Sequence, residues 1–147
     1  MVEVDVDALE LIKQDQDAIK KLFDDALANN DPAARAGLLQ HIRAELTAHK
    51  RMKDDVFYPA LRAGGDKAKS IMLDGLDSPL LTDVILDELL EVPEETDHWQ
   101  AKLKVLKSNL EQQVEAEAEL FTRARGALSQ VTLTDLGAKM AAIRKRA

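Results

Sequence analysis

The chain of 147 residues contains no cysteine, which excludes disulfides, zinc–thiolate sites, iron–sulfur clusters and cysteine nucleophiles. It also has no apolar run approaching the roughly 18–20 residues that a membrane span requires. The first residues, Met1-Val2-Glu3, lack the basic and apolar regions of a signal peptide. These absences predict a cytoplasmic protein that does not insert into a membrane.

Basic residues are in the minority, with 20 Lys and Arg against 27 Asp and Glu, so the formal net charge is −7. Nucleic-acid binding relies on basic side chains that neutralise phosphates, so we expect no nucleic-acid partner. The C-terminal cluster of Lys139, Arg144, Lys145 and Arg146 is interpreted as complementing the negative end of a last helix.

Proline and glycine are scarce, with four and six residues, and they mark the predicted helix ends. Ala, Leu, Glu, Lys and Asp recur at helical spacing, and no alternating strand pattern is present. A first helix is predicted over 5–29. Asp31 and Pro32 provide an N-cap and an N1 proline for a second helix, which ends at Gly64-Gly65.

The second half of the chain is predicted to contribute two further long helices and a short last one. A third helix over 66–91 is broken near Gly75 and Ser78-Pro79, a fourth runs from Thr96 or Asp97 to near Gly126, and a short helix covers 134–146. Four long helices with short connections predict an all-α fold, an antiparallel up-down four-helix bundle with a short C-terminal helix. The chain is expected to form a single domain over 1–147, as a monomer or a homodimer.

Polar residues interrupt the apolar seams of three helices near their midpoints. The seam of the second helix, for example, is predicted to comprise Leu39, Ile42, Leu46, His49, Lys53, Val56 and Ala60. In an up-down bundle the helix midpoints share a level, so five polar side chains should meet in one core layer. They are Gln16, His49, Lys53, Gln113 and Glu117. Burying such groups is unfavourable unless each finds a partner, so the layer predicts a site or the remains of one.

The sequence resembles the hemerythrin-like family, the HHE cation-binding domains. The resemblance lies in LIKQDQDAIKKLF of the first helix, IRAELTAHKRMKDDVFYPAL of the second, LKSNLEQQVEAEAELFTRAR of the fourth and DLGAKMAAIRKR at the end. It covers nearly the whole chain and implies the family's bundle fold. It also implies two non-haem irons held by His and carboxylate side chains.

Most of the implied iron ligands are replaced in this sequence. By the resemblance, Gln16 and Gln113 stand in place of His, Lys53 stands in place of a bridging Glu, and His49 and Glu117 are retained. The third-helix His would fall near Ser78-Pro79. An ammonium group at a metal-bridging position repels metal ions at close range, and an amide is a poorer iron ligand than imidazole. We therefore expect no metal cofactor, with iron at His49 and Glu117 as the alternative.

Three functions follow from this layer. The first is a metal-free site in which Lys53 pairs with Glu117, with Gln16, His49, Gln113 and Tyr58 around it, either as a structural repair or as a site for a small-molecule ligand. The second is a cofactor-independent enzyme in which Lys53 acts with Glu117 or His49 as acid and base, because burial favours a neutral amine. The third is a residual iron-binding or O₂-handling protein.

Overall fold

The computed structural model describes residues 6–75 and 80–146, and every regular element within these ranges is helical. The elements are α1 (Ala8–Ala28), α2 (Pro32–Met52), a π-helical turn (Lys53–Phe57), α3 (Tyr58–Ala63), α4 (Asp66–Gly75), α5 (Leu80–Leu90), α6 (Asp97–Ala127) and α7 (Gln130–Arg146). α2, the π-helical turn and α3 together form the predicted second helix. α4 and α5 form the two parts of the predicted third helix. The predicted break at Ser78-Pro79 lies outside the described residues.

The predicted capping residues begin the helices as expected. The Asp31 carboxylate accepts the amide of Ala34 at 3.1 Å, and Pro32 is the first residue of α2. Thr96 caps α6 by accepting the amide of Trp99 at 3.2 Å. These side chains satisfy amides that have no partner within the helix, which is why the chain enters a helix at these points.

The π-helical turn changes the face that the second helix buries. The amide of Tyr58 donates to the carbonyl of Lys53, five residues back. Pro59 follows directly, and because it has no amide hydrogen and would clash with the carbonyl four residues earlier, a regular α-helix is disfavoured here. The extra residue moves the buried positions by one, so Phe57 and Leu61 are buried at 2% and 0% exposure. The predicted seam residues Val56 and Ala60 are half-buried and pack against the same apolar cluster, with Phe57 and Leu61 at its centre.

Two apolar clusters fill the ends of the bundle, and the polar layer lies between them. One cluster contains the start of α1, the end of α2, the π-helical turn, α3, α4, the end of α6 and α7, and includes Ile12, Met52 and Phe57. The other contains the end of α1, the start of α2, α5 and the start of α6, and includes Phe23 and Trp99. On α1, residues 8–12 belong to the first cluster and 19–26 to the second. The layer is therefore at the middle of the bundle.

The last helix is longer than predicted and packs against α1 and α2. It begins at Gln130 rather than 134, because Ser129 caps it by accepting the amide of Thr132 at 3.1 Å. Gly137 allows close packing there, since a Cβ at this position would overlap the carbonyl oxygen of Val6 and lie 2.9 Å from the backbone carbon of Asp7. Within residues 6–75 and 80–146, no helix is both long and apolar enough to cross a membrane.

A buried arginine and a buried aspartate close the two ends of the bundle. Arg35 donates to the carbonyls of Asn29 at 2.6 Å and Glu94 at 2.7 Å, and lies over the ring of Trp99. Asp7 caps α1 at the other end and accepts hydrogen bonds from Arg125 and Gln130. Burial opposes ionisation of Asp7, but the hydrogen bonds from Arg125, the Glu10 amide and Gln130 outweigh it and lower its pKa to about 2.

Candidate functional site

An ion pair between Lys53 and Glu117 lies at the centre of the polar layer. Lys53 begins the π-helical turn, and Glu117 projects from the middle of α6. The Lys53 Nζ atom donates to Glu117 Oε1 at 2.9 Å and to Oε2 at 3.0 Å, with side-chain exposures of 13% and 8%. The pairing expected between these two residues is confirmed. Because both carboxylate oxygens are engaged by one ammonium group, the pair joins the second helix to α6.

His49 belongs to a second set of contacts that reaches the last helix. Its Nδ1 atom lies 2.5 Å from Asp15 Oδ2, and the carboxylate can only accept, so Nδ1 carries the proton. Asp15 Oδ1 is 2.5 Å from Arg144 Nη1, and Arg144 Nη2 donates to Glu45 at 2.5 Å. These contacts hold the His49 ring in one orientation and connect α1, α2 and α7.

The two glutamines of the layer have different surroundings. Gln113 Nε2 donates to Thr82 Oγ1 on α5 at 2.7 Å, and Asn109 donates to the same oxygen at 2.9 Å. Gln16 Nε2 is buried, and no hydrogen-bond partner for it lies within the described part of the chain. Buried polar atoms in proteins are almost always paired, so Gln16 is a donor that calls for an explanation.

All five predicted polar residues line one cavity of about 280 Å³ between α1, α2 and α6. We call it the layer cavity. Its apolar wall consists of Ile19, Phe23, Leu46, Leu110 and Val114, and its charged rim of Asp17, Lys20, Lys107, Glu111 and Glu115. The cavity is therefore lined both by polar groups and by aliphatic and aromatic carbon, which is the usual composition of a small-molecule site.

Tyr58, the remaining predicted ligand-binding residue, lines a different cavity. This second cavity, also of about 280 Å³, shares His49 and Lys53 with the layer cavity and is bounded by Tyr58 and Thr82. Burial, and then the negative charges of Glu117 and Asp54, raise the pKa of the Tyr58 phenol above its usual range. Tyr58 is thus a neutral hydroxyl on the far side of the ion pair.

Sequence reasoning missed Asp15, Thr82 and Arg144. Asp15 is buried at 5% exposure, and its spacing from Ile12 and Ile19 is as good a seam position as that of Gln16, so the pattern contained this signal. The sequence predicts that Arg144 complements the negative end of the last helix, whereas its guanidinium group contacts the buried Asp15. Nothing in the sequence indicated which α5 residue would meet Gln113.

The residues in the layer do not fit the di-iron centre that the resemblance implies. Glu117, which the resemblance makes a retained ligand, is bonded through both oxygens to an ammonium group, and Gln16 and Gln113 carry amides where the resemblance implies imidazoles. Among residues 6–75 and 80–146, no three His, Asp or Glu side chains form a group that could hold a metal ion. The donor set and its charge both oppose two iron cations.

Comparisons with known proteins agree with the fold and with the resemblance. The chain is similar to the crystal structure of a hemerythrin HHE cation binding domain-containing protein from Mycobacterium kansasii, an Rv2633c homolog. The TM-score is 0.83 at 26% identity, over 96% of this chain and 86% of that chain. A search of curated proteins found no match. The sequence profile of the hemerythrin HHE cation binding domain matches residues 7–124, and the chain therefore belongs to the hemerythrin HHE cation binding domain family.

Proposed function

We propose that this HHE domain works without a di-iron centre and binds a small molecule in the layer cavity, beside the Lys53–Glu117 ion pair. The observation that carries the proposal is the contact of Lys53 Nζ with both carboxylate oxygens of Glu117, at 2.9 and 3.0 Å, in the middle of the bundle. The ion pair takes over the connection between helices that bridging carboxylates and metal make in the family.

Charge supports the metal-free half of the proposal. An ammonium group within hydrogen-bond distance of Glu117 places a positive charge where a metal cation would share the same carboxylate. Two positive charges a few ångströms apart inside a protein repel strongly, since little water screens them. Metal binding would first have to displace Lys53 from its partner.

Open space beside the ion pair favours a binding site over a purely structural repair. If the layer were only a structural replacement for a lost metal site, packed or paired side chains would fill it, as is normal for protein interiors. Here a cleft of about 280 Å³, partly open to solvent, remains beside the ion pair and has an apolar lining. A cleft that combines polar groups with an apolar lining is suited to a small-molecule ligand.

The geometry also favours binding over acid–base catalysis. The enzyme hypothesis requires a free amine at Lys53, whereas the ammonium group donates to both oxygens of Glu117. His49 likewise engages Asp15 through Nδ1. Each of the three predicted catalytic groups is therefore already bonded to a neighbour.

Elemental analysis tests the metal-free half. Wild type and a variant carrying Gln16→His, Lys53→Glu and Gln113→His are expressed with added iron and purified without chelator or a polyhistidine tag. We expect wild type to contain iron well below one atom per chain and the variant to contain more, because the variant regains the family's ligand types. A wild-type value near two irons per chain would overturn the proposal.

Xenon tests the cavity, because it enters apolar cavities of proteins. Under xenon pressure we expect methyl NMR shifts at Ile19, Leu46 and Leu110, which line the layer cavity. Leu110→Phe should fill the space and abolish the shifts. Val105→Phe is the matched control, because Val105 lies on the same helix at 55% exposure. Wild-type protein without xenon shifts at these methyls would contradict a small-molecule site.

A further inference from the structure

One nitrogen of the His49 ring is not used by the contacts of the polar layer. Nδ1 donates to the Asp15 carboxylate at 2.5 Å, so the other nitrogen, Nε2, presents a lone pair. No described residue gives this Nε2 atom a partner, and, unlike the Nε2 atom of Gln16, it is not sealed from solvent. His49 therefore offers one accessible acceptor on a side chain that is only 12% exposed.

Asp15 and Arg144 hold this acceptor in one direction. Asp15 is buried, and its second oxygen lies 2.5 Å from Arg144 Nη1, while Arg144 Nη2 donates to Glu45. The His49 ring cannot turn without losing its bond to this anchored carboxylate. The lone pair of Nε2 is thus preorganised, which reduces the entropy that a ligand loses on binding there.

Lys53 lies one helical turn after His49 and lines the same open space. The Lys53 backbone amide donates to the His49 carbonyl, so the two side chains leave the helix on one face. Both side chains line the layer cavity and the second cavity. An ammonium group carries three N–H groups, and the two oxygens of Glu117 engage two of them. A third N–H group remains beside His49.

A hydroxyl group on the ligand matches these two neighbours. Its hydrogen is donated to His49 Nε2, and its oxygen accepts from Lys53. An ether or carbonyl oxygen cannot donate to Nε2, and an ammonium group cannot accept from Lys53. The exposed rim residues Asp17, Lys20 and Glu115 place no restriction on this buried end, because the outer end of the ligand stays in water beside them.

The apolar lining of the layer cavity determines where the rest of the ligand lies. Ile19, Phe23 and Val114 line the layer cavity but not the second cavity, which Thr82 and Asp83 help to line instead. Burial of carbon against an apolar lining is the main source of affinity in small-molecule sites. The carbon body of the ligand therefore belongs in the layer cavity.

We propose, on the basis of the proposed function, that the ligand is a hydroxyl compound with an apolar body, and that its hydroxyl group donates to His49 Nε2. The hydroxyl oxygen accepts from the Lys53 ammonium group, and the carbon body lies against Ile19 and Phe23. Asp15 is a positioning residue in this site, since it acts on the ligand only through the His49 ring.

Phenol, toluene and anisole test the hydroxyl group, because they share a ring and differ at one substituent. Toluene has a methyl group in place of the hydroxyl, and anisole has an oxygen that accepts but cannot donate. Dissociation constants are measured by NMR titration of the assigned methyl groups of Ile19, Leu46 and Leu110, which line the layer cavity.

His49→Asn removes Nε2 but keeps an amide that can donate to Asp15. We expect the preference for phenol over toluene, given by the ratio of their dissociation constants, to fall at least about fivefold. The preference for anisole over toluene should stay within about twofold. His98→Asn is the matched control, because His98 is exposed at the start of α6, and it should leave both ratios within about twofold. Circular dichroism verifies that both variants fold.

A second measurement uses the wild-type protein and does not depend on the folding of a variant. At about pH 8, ¹⁵N NMR of the His49 ring should show the proton on Nδ1 and the lone pair on Nε2. Phenol should shift the Nε2 resonance, whereas toluene and anisole should not. A proton on Nε2 in the unliganded protein, or equal shifts with all three probes, would overturn the hydroxyl contact.

The outcomes distinguish this inference from the proposed function on which it rests. An unchanged phenol preference in His49→Asn overturns the contact with His49 but leaves the small-molecule site in place. Equal losses for phenol and anisole show that Nε2 donates rather than accepts, and they also overturn the inference. Xenon shifts without binding of phenol overturn this inference alone, whereas the absence of both overturns the proposed function as well.

Discussion

The polar layer and the apolar clusters on either side of it are built from the same helices by different means. In the clusters, side chains such as Ile12, Trp99 and Leu106 are fully buried and gain stability from the area they remove from water. In the layer, His49, Gln113 and Lys53 keep part of their surface exposed and depend on individual partners. The apolar clusters stabilise the bundle. The polar layer interrupts them, and a gain in stability does not explain its presence.

The largest expected effect comes from the Lys53–Glu117 ion pair, whose removal makes the layer resemble the apolar clusters. Glu117→Leu should lower the free energy of unfolding by about 3–5 kcal/mol, because it leaves the Lys53 ammonium buried without its partner. The double variant Lys53→Met, Glu117→Leu should lie within about 1 kcal/mol of wild type, since an apolar pair resembles the clusters. Urea unfolding of wild type, Glu117→Leu, Lys53→Met and the double variant gives the coupling free energy. Additive losses in the double variant would contradict the ion-pair assignment.

The apolar end is tested at Gly137, where α7 packs against the backbone of residues 6–8. Gly137→Ala should destabilise the protein by about 2–3 kcal/mol, because the added Cβ overlaps the Val6 carbonyl oxygen and the helix must move. Gly126→Ala is the matched control. A Cβ at Gly126 meets no described atom within 4 Å, so this change should stabilise the protein by about 0.5 kcal/mol. Equal effects at the two glycines would contradict the close packing of α7.

Asp7 makes the same end sensitive to acid. Its pKa is lowered from 3.8 to about 2 in the folded protein, so its contribution is fully present above pH 4 and is lost as the pH falls through 2. We expect this loss to amount to about 2 kcal/mol. Guanidinium unfolding from pH 5 to pH 2 measures it. Asp7→Asn, which keeps a capping side chain, should show a smaller decrease over this range, and an identical decrease would contradict the assignment.

Arg144 tests the support of the layer from outside and has the smallest expected effect. Arg144→Met should destabilise the protein by about 1 kcal/mol, because Asp15 loses an ion pair and Glu45 loses a charged hydrogen bond while the aliphatic stem is kept. The His49 ring signals should also shift, since Asp15 orients that ring. Lys145→Met, at an exposed neighbouring position, should change neither quantity. Unchanged His49 signals in Arg144→Met would contradict the role of Arg144 in supporting the polar layer.

The sequence was sufficient for the fold because capping residues and apolar spacing are local signals. Asp31-Pro32 and Thr96 mark helix starts through their own backbone, and the seams of α1 and α6 follow from spacing alone. The meeting of Gln16, His49, Lys53, Gln113 and Glu117 was also predictable, since helix midpoints share a level.

Local signals could not give what depends on packing between distant helices. The one-residue shift after Lys53 results from a π-helical turn beside Pro59, which the apolar spacing does not reveal. The contact of Arg144 with Asp15 requires knowing where α7 lies. The shape of the layer cavity depends on side-chain orientations that spacing does not determine.

The long-range ties of the last helix also bear on the order in which the molecule assembles and comes apart. Arg144 contacts Glu45 across 99 residues, and Gln130 contacts Asp7 across 123. Contacts that close such long loops are entropically costly and tend to form after the local helical hairpins. We therefore expect substitutions at Arg144 to accelerate unfolding more than they slow folding. Detachment of α7 would then be the first step of opening, and it would release the Asp15 carboxylate that holds the His49 ring in place.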